Sequence, residues 1–361
     1  MHGGDIYNNK VDIDFSVSLN PCKRSLSEET LIKEAVSEGM RYFGNYPELS
    51  QSSVRRAVAA AEGVPCECIY AGNGTSELIM GIIRAEMPHK ALLIEPGYSG
   101  YQHALGSVGD CEIRRYYLNE KDRFMLTEAV LDAVSDDIDM IFIQDPWNPV
   151  GLNADPDLMT KVIRKTYDSN ITVLFDVSFR SLSENADKGV KLQDNIYYIS
   201  SFTKSFALPG IRMGYVMSTE TNIKNVISRL PEWNLSSIAQ SVMKACAYIY
   251  ETGDYLKRSV LYIKKEREYL TKELEDLGFK VYGSDTVFIL FRTSGRLSEN
   301  QSEGTAVRHE DLFERLLEKG ILIRKCDDFL GLGHDFYRIG IRSHEENEIL
   351  IGSLKEVIYG A

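Results

Sequence analysis

Short apolar runs rich in Ile, Val, Leu and Phe recur at 68–70, 91–95, 140–145, 172–176, 197–200 and 213–218. Runs of this length predict strands, and their near-continuous apolarity predicts strands buried on both faces. Between several of them lie stretches of helical length with an apolar stripe, notably 76–86 and 156–167. Such alternation predicts an α/β domain on a mostly parallel sheet, with ligands expected at the carboxyl ends of the strands.

The pattern then changes. Positions 236–277 keep helical periodicity almost throughout, with a break near Thr252-Gly253. A strand-like run follows at 287–291, then a helix at 308–319, a strand at 337–341 and a last helix from about Glu345. That order predicts a smaller α+β domain. The expected division is an N-terminal arm over 1–30, a large domain over 31–250 and a small C-terminal domain over 251–361. The Gly/Ser-rich stretch 293–304 reads as an exposed loop without a function of its own. A chain of 361 residues is long enough for two domains.

Composition narrows the partners. Lys plus Arg number 41 against 53 Asp plus Glu, a formal net charge of -12. This balance argues against a general nucleic-acid or anionic-membrane binder, but permits a small basic pocket. No apolar run approaches the roughly 18 residues that span a bilayer, and the first residues lack the pattern of a signal peptide. Of the six cysteines only Cys66 and Cys68 are close together, a poor zinc pattern, so no metal site is expected. Reduced thiols and a cytoplasmic location are the expectation.

Four stretches at predicted strand ends carry the chemistry. The sharpest is Ser200-Ser201-Phe202-Thr203-Lys204-Ser205, followed by Pro209-Gly210-Ile211-Arg212-Met213-Gly214. Most loop lysines are solvated charges. Here Ser201, Thr203 and Arg212 offer donors beside Lys204, as a phosphate requires. A lysine next to a phosphate pocket suits a Schiff base with pyridoxal phosphate. Asp176 closes the apolar run 172–175, where its carboxylate can keep a pyridine nitrogen protonated. The turn Asp145-Pro146-Trp147-Asn148-Pro149 offers the Asn148 amide to a ring oxygen. Gly72-Asn73-Gly74-Thr75 joins a strand to a helix, whose N-terminal amides suit an anion.

Together these stretches resemble the fold-type-I pyridoxal-phosphate enzymes of the class I/II aminotransferase superfamily, over the whole chain. The resemblance implies the PLP-dependent transferase fold, with pyridoxal 5'-phosphate bound through Lys204. It also implies Asp176 at the ring nitrogen and Asn148 at the 3-oxygen. Asn73, Gly74, Thr75, Ser201, Thr203 and Arg212 would lie around the phosphate, and Tyr98 would stack on the ring. Tyr46, in Asn45-Tyr46-Pro47, matches a tyrosine that reaches the phosphate from a neighbouring subunit, which implies a homodimer with a shared site. One departure is clear: the run Asp176-Val177-Ser178-Phe179 lacks the tyrosine that commonly helps Asn hold the 3-oxygen.

Both chain ends resemble the threonine-phosphate decarboxylases within that superfamily, as does Trp233-Asn234-Leu235-Ser236. By that resemblance His2, Gly3, Ser18, Asn20, Asn148, Arg324 and Arg338 would bind substrate, the two arginines taking its carboxylate and phosphate. Ser18 departs from the group's usual Asn. The implied substrate is a phosphorylated amino acid, O-phosphothreonine or O-phosphoserine, decarboxylated to a phosphorylated amino alcohol. Amino transfer of the histidinol-phosphate type is the alternative, and a non-catalytic ligand-binding protein of the same fold is a third. Whether CO2 or a proton leaves Cα depends on a dihedral angle that the sequence does not set.

Overall fold

A computed structural model of the chain describes residues 3–184, 189–293 and 312–360. Its large sheet has seven strands in the order Ile69–Asn73, Met213–Met217, Ile196–Ser201, Thr172–Asp176, Met140–Gln144, Lys90–Glu95 and Glu112–Tyr117. All pairings are parallel except those of Met213–Met217, which runs against both neighbours. Alternate side chains enter opposite layers. Leu92 and Ile141 join the core on one face; Ala91, Leu93 and Met140 join the core on the other. That two-sided burial is why these strands read as unbroken apolar runs.

The strand Glu112–Tyr117 has no such run. It is an edge strand of sequence Glu-Ile-Arg-Arg-Tyr-Tyr, with no residue fully buried. Charged side chains suit an edge, and they erase the apolar signal.

The helical stretch after 236 is two helices. Ser237–Thr252 is capped by the Ser236 hydroxyl, which accepts from Ala239 N–H at 3.1 Å. Gly253 ends it, where a Cβ would lie 2.7 Å from the Ile249 carbonyl oxygen. This helix packs on Leu26–Arg41 and Ser52–Glu62, whereas the next, Tyr255–Asp276, packs on the terminal helix His344–Tyr359. The helix Leu26–Arg41 therefore begins inside the stretch expected to be an arm.

The second sheet is antiparallel, in the order Arg324–Lys325, Phe336–Gly340, Phe288–Arg292 and Lys280–Val281. The N-terminal segment is stitched to this side of the molecule: Ile13–Asp14 pairs in parallel with Ile321–Leu322, and Gly340 N–H donates to the Phe15 carbonyl at 2.7 Å. Of the helix expected at 308–319, Leu312–Glu318 is described. Apart from Thr293, the loop expected at 293–304 lies outside the described residues. Among the described residues no helix is long and apolar enough to cross a membrane.

Candidate active site

The carboxyl ends of the parallel strands meet the start of Met213–Met217 at one edge of the large sheet. A cavity of about 280 Å³ opens there. Ser201 ends its strand and turns the chain, its Oγ accepting from Thr203 N–H at 2.9 Å. The resulting single turn, Phe202–Ser205, directs Lys204 into the cavity. Withdrawal from water, then the positive charges of Arg338 and Arg212, push the Lys204 ammonium down to about 8, with Asp176 acting in the opposite direction. A lysine of that acidity is partly neutral near pH 7, and a neutral amine is a nucleophile.

Asp176 ends the strand Thr172–Asp176 on the cavity floor. Its Oδ1 accepts from Ser178 N–H at 3.0 Å and its Oδ2 from the Tyr101 hydroxyl at 2.8 Å. Burial raises the carboxyl above its ordinary range, while those hydrogen bonds and the Lys204 charge oppose the rise. Phe179 also lines the cavity, with Lys204 Nζ 5.7 Å from its ring centre, so a hydrocarbon face stands next to the lysine.

The anion-binding corner is made by two glycines and a helix start. Gly74, at φ +79°, precedes the 12-residue helix Thr75–Glu86, and a Cβ there would lie 2.5 Å from Arg212 Nη2. A Cβ on Gly214 would lie 2.6 Å from both the Gly74 carbonyl carbon and Thr75 N. Glycine at both positions lets the backbone amides approach Arg212. Such a corner attracts anions through N–H groups and the helix dipole. The Ser201 and Thr203 hydroxyls both donate to the Met213 carbonyl, at 2.7 and 3.2 Å.

Asn148, Arg324 and Arg338 also line the cavity. Arg338 is buried; its Nη1 donates to Asn148 Oδ1, and its Nη2 to the Ser16 carbonyl at 3.3 Å. Burial lowers its guanidinium to about 10. Among the described residues its Nε has no hydrogen-bond partner, nor has the buried hydroxyl of Ser18, a further lining residue.

Not every expected residue faces the cavity. Gly3 and Tyr98 do, but Asn20 and Asn73 do not. The Asn20 amide donates to the Ser205 carbonyl at 2.7 Å and Ser259 Oγ at 2.8 Å, and its backbone N–H donates to the Lys204 carbonyl at 3.0 Å. Asn20 thus clamps the lysine turn to the helix Tyr255–Asp276. Tyr46 is exposed, its ring 4.8 Å from that of Trp233. His2 lies outside the described residues. Sequence reasoning missed Tyr101 and Ser178. The available signal for the first was a second phenol three residues beyond Tyr98, in the short helix Gly100–Leu105 that follows it.

A profile of the family described as Aminotransferase class I and II matches residues 13–354. The chain is 29% identical to a threonine-phosphate decarboxylase of Salmonella typhimurium, over 96% of this chain and 92% of that protein. It is 25% identical to a histidinol-phosphate aminotransferase of Clostridium kluyveri, over 88% of this chain and 85% of that one. The crystal structure of the histidinol-phosphate aminotransferase from Clostridium acetobutylicum superposes with a TM-score of 0.83 at 25% identity, covering 97% of this chain and all 100% of that one. The chain belongs to the class I and II aminotransferase family and is a pyridoxal phosphate-dependent enzyme of it. The lysine of lowered pKa, the glycine cradle beside Arg212 and the unpartnered polar atoms suit that cofactor's carbonyl, phosphate and ring substituents.

Proposed function

We propose that the enzyme decarboxylates a phosphorylated amino acid, O-phosphothreonine or O-phosphoserine, to a phosphorylated amino alcohol. The observation that carries this reading is Arg338, a buried cation lining the cavity with its Nε unpartnered. A carboxylate is the natural complement of that fork. The similarity to a threonine-phosphate decarboxylase along nearly the whole chain supports the choice of substrate.

In this reading Lys204 holds the cofactor and Asp176 keeps a proton on its ring nitrogen. Asn148 faces the 3-oxygen, and Tyr98 lies against the ring. Gly74, Thr75, Ser201, Thr203 and Arg212 surround the phosphate, with Asn73 one residue behind the cradle. Bound pyridoxal phosphate supplies an electron sink for the pair left when a bond at Cα breaks. Arg338 orients the substrate carboxylate, and the Phe179 ring presents a hydrocarbon face near Lys204. Lys204, released when the substrate amine takes its place on the cofactor, would be the group that gives a proton to Cα once CO2 has left.

The site takes its final form in a homodimer. Met40, Tyr42, Phe43, Tyr46 and Trp233 are all exposed, an apolar and aromatic set that a second copy would cover. Six cysteines outside any disulfide support a reducing, cytoplasmic compartment.

Amino transfer of the histidinol-phosphate type is the second reading, favoured by the relatives of that name. One assay separates the two. The purified enzyme should release CO2 from O-phosphothreonine or O-phosphoserine without a 2-oxo acid, and form little glutamate from histidinol phosphate and 2-oxoglutarate. Ready glutamate formation with no CO2 from either phosphoamino acid would replace the first reading by the second.

A further inference from the structure

The strands Met140–Gln144 and Thr172–Asp176 run side by side in parallel, and their last residues, Gln144 and Asp176, are register partners. Successive side chains of a strand point to opposite faces of its sheet. Ile141, Ile143, Val173 and Phe175 enter one core, whereas Phe142 and Leu174 enter the other. Gln144 and Asp176 stand two residues beyond Phe142 and Leu174, so they share that second face. Both line the cavity.

Gln144 is only 4% exposed, yet among the described residues its carboxamide makes no hydrogen bond. An amide withdrawn from water is costly unless something that enters the cavity pairs with it. The turn before Tyr98 leaves it room: a Cβ on Gly97 would lie 3.3 Å from Gln144 Nε2. The nearby Asp176 carboxylate is already held, by Ser178 N–H and the Tyr101 hydroxyl.

We infer that Gln144 is a further cofactor-binding residue, whose Nε2 donates to the 3-oxygen of pyridoxal phosphate. The inference rests on the placement given above, with the phosphate beside Arg212 and the ring nitrogen at Asp176. In the sheet, Met140–Gln144 lies on the far side of Thr172–Asp176 from Ile196–Ser201, the strand that leads to Lys204. Gln144 thus borders the ring edge remote from the phosphate. That edge carries the ring nitrogen, a methyl group and the 3-oxygen. The proton on the nitrogen faces Asp176, and the methyl group neither donates nor accepts. The 3-oxygen is the acceptor left for an amide, and its lone pairs have room for Gln144 as well as Asn148.

Equilibrium dialysis of the full-length apoenzyme against pyridoxal 5'-phosphate and against 3-deoxypyridoxal 5'-phosphate, which lacks the oxygen, tests this. Gln144→Leu should bind pyridoxal phosphate about tenfold more weakly than the wild type, and bind the deoxy analogue equally well. If Gln144→Leu does not fold, Gln144→Met carries the same test. Unchanged binding of pyridoxal phosphate overturns the role of Gln144, as does an equal loss for both ligands, which would mean that the side chain acts through shape. Asp176→Asn should also weaken pyridoxal phosphate. If that variant binds it like the wild type, the placement of the ring fails and this inference with it; a weakened Asp176→Asn beside an unaffected Gln144→Leu overturns the role of Gln144 alone.

Discussion

The Tyr101 hydroxyl donates to Asp176 Oδ2 at 2.8 Å, while Ser178 N–H holds the other carboxylate oxygen at 3.0 Å. Burial, then the nearby Asp176 charge, raises the phenol well above its ordinary range, so it remains a donor at any working pH. The carboxylate is fixed in position by neutral donors, which oppose the rise in its pKa that burial imposes. A partner of this kind steadies the charge without competing for a proton.

Tyr101→Phe should therefore lower kcat by roughly tenfold or more, the scale of one hydrogen bond to a charged group. Asp176→Asn should cost orders of magnitude, because an amide cannot balance a protonated ring nitrogen. Steady-state kinetics on the two folded variants check both. Wild-type turnover in Asp176→Asn would reduce that residue to a turn-former.

The lowered Lys204 pKa sets a pH dependence. Below its pKa of about 8 the amine is mostly protonated, so the rate at which apoenzyme takes up the cofactor should rise about tenfold per pH unit and level off above it. Arg338 contributes to the lowering, so Arg338→Gln should move the bend upward. Stopped-flow absorbance from pH 6 to 10 reads both. A bend that stays put in the variant would mean the arginine does not act on the lysine.

Mixing a Lys204→Ala protomer with a Tyr46→Phe protomer should restore part of the activity, since one site of the heterodimer would carry both native residues. Light scattering showing a monomer at working concentration would rule out a shared site.

Much of this arrangement was legible in the sequence, and the failures have physical causes. Strands such as Thr172–Asp176 announced themselves because both their faces are buried, and the residues at their carboxyl ends then followed from topology. The edge strand Glu112–Tyr117 was silent because Glu112, Arg114 and Arg115 interrupt any apolar run. Lys204, Asp176, Asn148 and Arg212 stand together as expected, since each sits at the end of a readable strand or beside one. Asn20 misleads because its residue type suits a ligand, and only the three-dimensional partners reveal that Ser205 and Ser259 already use it. Arg324 lines the cavity, with the Asp328 carboxylate against it.

Asn20→Ala tests that correction. The loss of two buried side-chain donations should lower stability by about 2–4 kcal/mol, read from the denaturant midpoint. The KM of the folded fraction should change little. Unchanged stability with a steep rise in KM would return Asn20 to the substrate.

The central claim is that the cavity around Lys204 is where the cofactor is held, and borohydride reduction of the purified holoenzyme tests it most directly. Reduction makes the lysine–cofactor bond permanent, and peptide mass mapping then locates the modified residue. The adduct should fall on Lys204, and Lys204→Ala should carry none. An adduct on any other lysine would contradict the whole assignment of the site.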